Sequence, residues 1–175
     1  NMAGISRKEA KTIGLGLMYG MGIARLAEAL DITDEQAKIL KKKYNDNVSF
    51  LKNIIARATR YTEQYGHIST LLGRKCRFEL YENRDFYDKR LMSYDNAIKT
   101  WAWNEMKRAG TYRTLNRLIQ GSAADQTKLA IIKCYEAGYL PKLQIHDELC
   151  FDVQSKEDED KIQKIMETCM ELKVP

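Results

Sequence analysis

The chain has 175 residues, of which 44% are hydrophobic and 30% charged, a composition typical of a globular domain or of one large piece of one. No run approaches the roughly 18 apolar residues that a membrane-spanning helix needs, and the N-terminus lacks a signal-peptide pattern. These features argue against membrane-spanning and secreted proteins and predict a soluble intracellular one.

The charge is unevenly distributed along the chain. The formal net charge is +5, yet residues 134–175 carry 5 basic and 10 acidic residues, whereas the preceding residues carry 24 and 14. This asymmetry suggests a polyanionic partner for the basic part, although a pI near 8.9 also suits proteins that touch no nucleic acid. Four widely spaced cysteines without a CxxC pair argue against a zinc site.

The first third of the chain reads as helix. A basic helix is predicted from Arg7 to about Tyr19, where Gly20 and Gly22 stop it, and a short helix follows over residues 23–30. Thr33 then begins a long amphipathic helix that extends to Gly66 and bends near residues 45–47.

The middle of the chain mixes strands and helices. A strand pair is predicted around Ile68 to Leu72 and Cys76 to Leu80, with the turn Gly73-Arg74-Lys75 pointing its cations at solvent. A loop over residues 82–89 and a helix from about Arg90 to Lys107 follow. A second helix from about Leu115 to Ala137 contains a run of small residues and is closed by Gly138.

A hairpin with a polar tip comes next. Apolar residues alternate on either side of His146, Asp147 and Glu148, which indicates two half-buried strands joined by a tight turn. A carboxylate fixed at a strand end can bind Mg²⁺, but an ordinary charged turn explains the same residues. With a final helix over residues 156–172, the chain is predicted to be α+β and mostly helical.

The basic helix carries a stripe of four residues at a spacing of four, namely Arg7, Lys11, Leu15 and Tyr19. They share one face. Two cations followed by an apolar residue and a ring suit a nucleoside triphosphate, with the phosphates on the cations and the sugar and base on the other two. A plain amphipathic surface helix is the alternative.

Four segments together carry a resemblance to a known family. In chain order they are Arg7 to Gly20 (RKEAKTIGLGLMYG), Thr70 to Arg77 (TLLGRKCR), Asn116 to Asp125 (NRLIQGSAAD) and Gln144 to Leu149 (QIHDEL). The first resembles motif B, and the last resembles motif C, of the family A, polymerase-I-type DNA polymerases. The resemblance covers nearly the whole chain and implies fingers helices with part of an antiparallel palm sheet.

The resemblance also implies roles for individual residues. Arg7 and Lys11 would hold the incoming triphosphate, Leu15 would lie beside its sugar, and Tyr19 would guard the nascent base pair. The primer terminus would be faced by Asn116, Gln120 and His146, and backbone phosphates would be contacted by Arg74 and Arg77. Without the family context, helix capping and surface hydrogen bonding are the favoured explanation of Asn116 and Gln120.

Asp147 would be one carboxylate of a two-metal Mg²⁺ centre, with Glu148 as the adjacent, lesser carboxylate. Motif A, the strand that bears the family's other metal-binding Asp, is not found before motif B. We therefore expect the isolated chain to be incompetent as a polymerase. Asp125 is interpreted as structural, in a local pair with Lys128.

Two departures from the family pattern bear on the site. Motif B usually has Asn and then an aromatic residue where this chain has Gly14 and Leu15, so the sugar contact is changed. Tyr112 stands where many relatives carry Arg, and Arg113 follows it.

The resemblance therefore predicts fingers over residues 1–66 and the C-terminal fingers and palm over 67–175. The parent would extend a primer on a DNA template in the cytoplasm of a bacterial cell, or of the host if it is phage-encoded. Its partners would be primer-template DNA, deoxynucleoside triphosphates and the polymerase portion with motif A and the thumb, and no membrane. The alternatives are a non-catalytic nucleic-acid-binding module derived from a polymerase and a basic helical protein with no nucleic-acid role.

Overall fold

A computed structural model of the chain describes residues 7–85 and 88–172. The chain divides into two compact units. The first takes the described residues up to Ser69 together with Lys75–Leu118, and the second takes Thr70–Arg74 and the described residues from Ile119 onward. The predicted α+β class is confirmed: helices dominate, and the strands that the structure describes form small antiparallel sheets.

The first unit contains five helices and five short strands in its described part. The helices are α1 (Arg7–Met18), α2 (Ile23–Leu30), α3 (Asp34–Asn47), α4 (Ser49–Tyr65) and α5 (Tyr94–Thr100). The strands are β1 (His67–Ser69), β2 (Lys75–Arg77), β3 (Leu80–Asn83), β4 (Met92–Ser93) and β5 (Met106–Arg108). β1 pairs with β2, and a second antiparallel sheet has the order β4-β3-β5.

One apolar core holds the first three helices together. Ile13 and Leu17 of α1 are buried with Leu26 and Ala27 of α2 and with Ala37 of α3. The α3 helix begins in a capping box, since the Thr33 side chain accepts from the backbone N–H of Gln36, and the Gln36 side chain accepts from that of Thr33. Such reciprocal caps satisfy backbone donors that the helix itself leaves unpaired.

The long amphipathic helix of the prediction is two helices. It breaks at Val48, whose φ of −120° and ψ of 47° end α3 and begin α4. A β-branched residue after an Asn-Asp-Asn run combines weak helix formers, which favours a break there. The bend predicted near residues 45–47 therefore lies next to an actual break between two helices.

The helix predicted from Arg90 to Lys107 is wrong. Only α5 is α-helical, because Trp101 is extended and buried, with its indole N–H donating to Asp88 at 3.0 Å; Trp103–Glu105 form a single 3-10 turn. The chain then reaches β5, which pairs with β3 so that Glu82 opposes Lys107. The loop predicted over residues 82–89 begins two residues later than predicted, because β3 continues through Asn83.

The second unit is built on helix α6 (Thr114–Glu136), which enters it from the first unit, on the hairpin β6 (Pro141–Ile145) and β7 (Glu148–Phe151), and on helix α7 (Lys156–Thr168). α6 ends as predicted at Gly138, which has φ +89°, and the Tyr139 N–H donates to the Cys134 carbonyl. This is the Schellman end that glycine permits. No helix in the described ranges has the length and apolarity needed to cross a membrane.

The core of the first unit gives a stability prediction. Leu26 is fully buried among α1, α2 and α3, so Leu26→Ala should lower the free energy of unfolding by about 2–5 kcal/mol through lost burial and a residual cavity. Ile39→Ala on α3 is the control, because Ile39 is 58% exposed and its loss should cost within about 0.5 kcal/mol. Urea denaturation measures both, and equal losses would contradict the assigned core.

Candidate functional site

A cleft of about 680 Å³ lies beside α1 in the first unit. Lys11, Leu15 and Tyr19, three residues of the predicted stripe, line it. Because Ile13 and Leu17 of the same helix are buried in the core, the stripe lies on the side of α1 that the core leaves uncovered. The remaining lining residues are Thr12, Gly16, Gly20, Met21, Gly22, Arg25, Tyr112, Arg113 and Asn116.

The C-terminal end of α1 has the backbone geometry that positions Tyr19. Gly20 has φ +83°, its N–H donates to the Leu17 carbonyl at 3.1 Å, and the Met21 N–H donates to the Gly16 carbonyl at 2.8 Å. These two bonds form a Schellman motif, for which a residue with positive φ is required. Tyr19 is therefore the last residue before the turn, half-buried at the edge of the cleft.

The opposite wall of the cleft comes from a 3-10 turn, Thr111–Arg113. The Arg113 guanidinium lies 5.1 Å from the Tyr112 ring centroid, and its Nε donates to the Tyr112 hydroxyl at 2.8 Å. A Cβ added to Gly20 would lie 3.6 Å from the Tyr112 ring. A ring and a cation thus face the end of α1.

Arg77 lines a second cleft of about 430 Å³, which shares Tyr112 and Arg113 with the first. Arg117 closes one side, because its guanidinium lies 4.3 Å from the Phe78 ring centroid and donates to the Arg77 carbonyl at 2.9 Å. Three arginines therefore line this cleft, and Arg77 is exposed on β2. Glu79 and Glu82 line the same cleft, so its charge is mixed with a small excess of cations.

In the second unit, the loop Thr70–Arg74 is clamped to α6 by Asp125. The Asp125 carboxylate accepts from the Thr70 hydroxyl and from Arg74 Nε, the latter at 2.8 Å. Arg74 Nη2 donates to the Gly121 carbonyl at 2.9 Å, and the Leu71 N–H donates to the Ser122 hydroxyl at 3.1 Å. We call these contacts the Asp125 clamp.

The Asp125 clamp corrects two predictions. Arg74 does not simply project into solvent, because its half-exposed guanidinium is held by a buried carboxylate. Asp125 is structural, as expected, but its partner is Arg74 rather than Lys128. Hydrogen bonds from Thr70 and then Arg74 hold the pKa of Asp125 below its usual value, against the effect of burial.

The hairpin presents His146 and Asp147 as its turn. Ile145 pairs with Glu148 across the turn, so Glu148 is the first residue of β7 rather than part of the tip. His146 has φ +55°, a left-handed conformation that residues with a Cβ adopt rarely. His146, Asp147 and Glu148 are all exposed. The described ranges contain no group of three or more His, Cys, Asp or Glu side chains placed to hold a metal.

The strands of the hairpin differ from the prediction in one respect. The alternation of apolar residues predicted one buried face, yet Leu143 is 55% and Ile145 46% exposed.

The predicted site residues therefore fall into three groups. The α1 cleft brings together Lys11, Leu15, Tyr19 and Asn116. Arg77 lies in the adjoining cleft, and Arg74, His146, Asp147, Glu148 and the exposed Gln120 belong to the second unit. Arg7 is the first residue of α1, and its side chain lies outside what the structure describes.

Arg25 and the wall made by Tyr112 and Arg113 are parts of the cleft that were not predicted from the sequence. Arg25 carries a cation shortly after the Gly20–Gly22 turn, and this position next to the basic helix could have indicated that it lines the cleft. The position of Tyr112 opposite α1 depends on a contact between residues about 90 positions apart, for which spacing gives no signal.

A cleft lined by cations, an exposed apolar side chain and aromatic rings is typical of nucleotide and nucleic-acid binding proteins. The sequence model of DNA polymerase family A matches residues 1–175, and the chain belongs to that family.

Relatives and a solved structure agree with this membership. The chain is 32% identical over 209 residues to the DNA-directed DNA polymerase of Pseudomonas phage M6, covering 100% of this chain and 28% of that protein. It is 31% identical over 172 residues to DNA polymerase I of Borreliella burgdorferi, covering 94% and 17%. The POL domain of Pol1 from M. smegmatis, solved with DNA primer-template and dNTP, matches with a TM-score of 0.73 and 26% identity, covering 100% of this chain and 30% of that chain. The chain thus spans less than a third of each.

The Asp125 clamp gives a stability prediction. Asp125→Asn should lower the free energy of unfolding by about 1–3 kcal/mol, because a buried network loses its charge and part of its hydrogen bonding. Asp152→Asn is the control: Asp152 pairs with Lys142 at 3.7 Å with both side chains exposed, and its loss should cost within about 0.5 kcal/mol.

The same pair of variants tests the pH dependence. Since the folded pKa of Asp125 lies below the unfolded value, its contribution is complete above the unfolded pKa of about 3.9 and is lost as the pH falls through the folded pKa. The loss of stability between wild type and Asp125→Asn should therefore shrink in strong acid. Urea midpoints at a series of pH values measure it, and a difference that grows with acid would contradict the clamp.

Proposed function

We propose that this chain is the nucleotide-selecting and primer-facing part of a DNA polymerase that transfers a nucleotidyl group from a dNTP to a primer 3′-hydroxyl on a DNA template. The observation that carries the proposal is that Lys11, Leu15 and Tyr19 line one cleft together with Asn116. Family membership supports it, as does the similarity to a polymerase domain solved with primer-template and dNTP.

The α1 cleft suits a nucleoside triphosphate. The Lys11 ammonium would pair with its phosphates, and Arg7, one turn earlier on α1, would add a second cation. Leu15, 40% exposed, would lie against the sugar. Tyr19 would lie against the nascent base pair from the C-terminal end of α1, where the Schellman bonds hold the backbone.

Each unit, taken by itself, carries residues that we assign to primer-template DNA. Asn116, Gln120 and His146 would face the primer terminus, where amides can pair with the acceptors of the minor groove. Arg74 and Arg77 would contact backbone phosphates, which position DNA without reading its sequence. The Asp125 clamp would fix the orientation of the Arg74 guanidinium for that contact.

Mg²⁺ is the expected cofactor, and the described residues supply part of a site for it. Asp147 and Glu148 offer exposed hard oxygen ligands, but no third His, Cys, Asp or Glu joins them among the described residues. They do not make a complete magnesium site by themselves. In the whole enzyme the metal would neutralise charge on the reacting phosphate, and Asp147, with Glu148 beside it, would hold one side of its site.

We assign residues 1–66 to the fingers and residues 67–175 to the C-terminal fingers and palm of one polymerase domain. A polymerase portion with the motif A strand and the thumb would be the protein partner, and DNA replication would be the process served.

Primer extension with Mg²⁺ and dNTPs tests this assignment, using the chain alone and the chain mixed with a fragment that carries motif A and the thumb. Synthesis only in the mixture is expected. Synthesis by the chain alone would refute the claim that its metal site is incomplete. No synthesis in either reaction, with DNA binding intact, would favour the non-catalytic nucleic-acid-binding module.

Lys11→Ala should weaken the binding of a fluorescent dNTP analogue by roughly tenfold, because one charge-assisted contact to phosphate is lost. Lys42→Ala on α3 removes an equal charge from an exposed position outside the cleft and should leave the affinity within about twofold. In the active mixture, Lys11→Ala should impair use of dNTP with little loss of DNA binding. Equal loss of both would contradict the role of Lys11.

Asp147→Ala should abolish primer extension by the active mixture while primer-template binding survives, because only the metal ligand is removed. Asp152→Ala, an exposed carboxylate just after β7, should retain extension. Gel-based extension and anisotropy of labelled primer-template measure the two properties. Turnover by the Asp147 variant would refute the metal assignment.

A further inference from the structure

Helix α4 carries an exposed apolar and aromatic stripe that neither the core nor the α1 cleft uses. Its members are Phe50, Ile54, Arg57, Tyr61 and Tyr65, which we call the α4 stripe. Phe50 is 62%, Ile54 44%, Tyr61 43% and Tyr65 54% exposed, and Arg57 is exposed as well. Large apolar side chains at this level of exposure lose the benefit of burial, so they need an explanation other than packing within the first unit.

The spacing of the α4 stripe places it on one side of the helix. At 100° per residue its five members fall within an arc of about 80° and extend over about 22 Å. Thr62, on the packed side, is fully buried, while Ile55 and Thr59 are partly buried. α4 therefore uses one face for packing and leaves a continuous second face uncovered.

Rings gather at the C-terminal end of the α4 stripe. The Tyr61 and Tyr65 ring centroids are 4.6 Å apart, and the His67 ring lies edge-on at 6.0 Å from Tyr61. These contacts restrict the rings while more than two-fifths of each tyrosine stays exposed. Restricted, exposed rings are the platforms on which unpaired bases stack, at low cost in side-chain entropy.

The charge on α4 is suited to phosphate. The helix carries Lys52, Arg57 and Arg60 against a single acid, Glu63, which accepts from the Thr111 hydroxyl. In the described ranges, no carboxylate lies within ion-pair distance of the three cations. Arg57 thus places an unneutralised guanidinium within the apolar stripe itself.

We propose that the α4 stripe binds single-stranded DNA, with bases stacked on Tyr61, Tyr65 and Phe50 and a backbone phosphate on Arg57. An apolar protein partner would bury Arg57 without a counter-charge, which is costly, whereas a single strand supplies both phosphate and stacking faces. The inference deepens the proposed function, on which it rests, because a template-directed polymerase has single-stranded template as a partner.

Fluorescence anisotropy of a labelled oligo-dT of about 16 nucleotides, titrated with the full chain without primer or dNTP, tests the proposal. The double variant Tyr61→Ala, Tyr65→Ala should bind at least about fivefold more weakly, whereas Tyr61→Phe, Tyr65→Phe should stay within about twofold because the rings remain. Arg57→Gln should reduce the slope of log K against log salt by about 0.7. Tyr135→Ala, a 66% exposed ring on α6, is the matched control and should bind as wild type.

Several outcomes would overturn the proposal. They are failure of the wild-type chain to bind the oligonucleotide, unchanged binding by the double alanine variant, and a double alanine variant that alters only self-association in sedimentation. If the double alanine variant fails to fold, the salt slope of Arg57→Gln decides. Fluorescent dNTP binding should be unaffected by these variants, so failure here is distinguishable from failure of the α1 cleft assignment.

Discussion

The packing of Ile13 and Leu17 against α2 and α3 is the contact on which the α1 cleft depends. These two residues are one turn apart, and burying them fixes the rotation of α1 about its own axis. Once that rotation is fixed, Lys11, Leu15 and Tyr19 lie on the side of the helix that the core leaves uncovered. Two contacts from α3 add to this: Lys41 Nζ donates to the Met21 carbonyl at 3.1 Å, and the Tyr44 hydroxyl donates to the Gly14 carbonyl at 3.5 Å.

The second unit has buried apolar residues on α6, on α7 and just after α7, and a polar contact holds its loop Thr70–Arg74. Asp125 is nearly fully buried, and it orders the loop Thr70–Arg74 by accepting from two of its residues. A buried carboxylate is unfavourable unless its oxygens are hydrogen-bonded and its charge is paired, and both conditions are met here. The hydrogen bonds from Thr70 and Arg74 to Asp125 therefore hold the loop on α6, and the same bonds lower the pKa of Asp125.

The local features of this chain were predictable from its sequence, and the long-range ones were not. The ends of α1 and α6 follow from Gly20 and Gly138, and the tight turn at His146-Asp147 follows from the alternation on either side. The break at Val48 was only partly visible, because weak helix formers lower helix stability without fixing the break at one residue.

The errors lie where tertiary contacts decide the local structure. The predicted helix includes residues 101–107, yet Trp101 is buried with its indole N–H donating to Asp88, and β5 pairs with β3. Likewise Arg74 and Asp125 are 51 residues apart, so no local rule pairs them. Their motif residues were recognised through the resemblance, whereas their contact could come only from the fold.

The wall opposite α1 depends on a contact between two neighbouring side chains. Successive side chains of a 3-10 turn point about 120° apart, so Arg113 would be expected to point away from Tyr112. Its long side chain instead folds back, bringing the guanidinium over the Tyr112 ring and Nε to the hydroxyl. Both residues line the cleft with Lys11, Tyr19 and Asn116. The ring and hydroxyl of Tyr112 therefore position the Arg113 cation at this edge of the cleft.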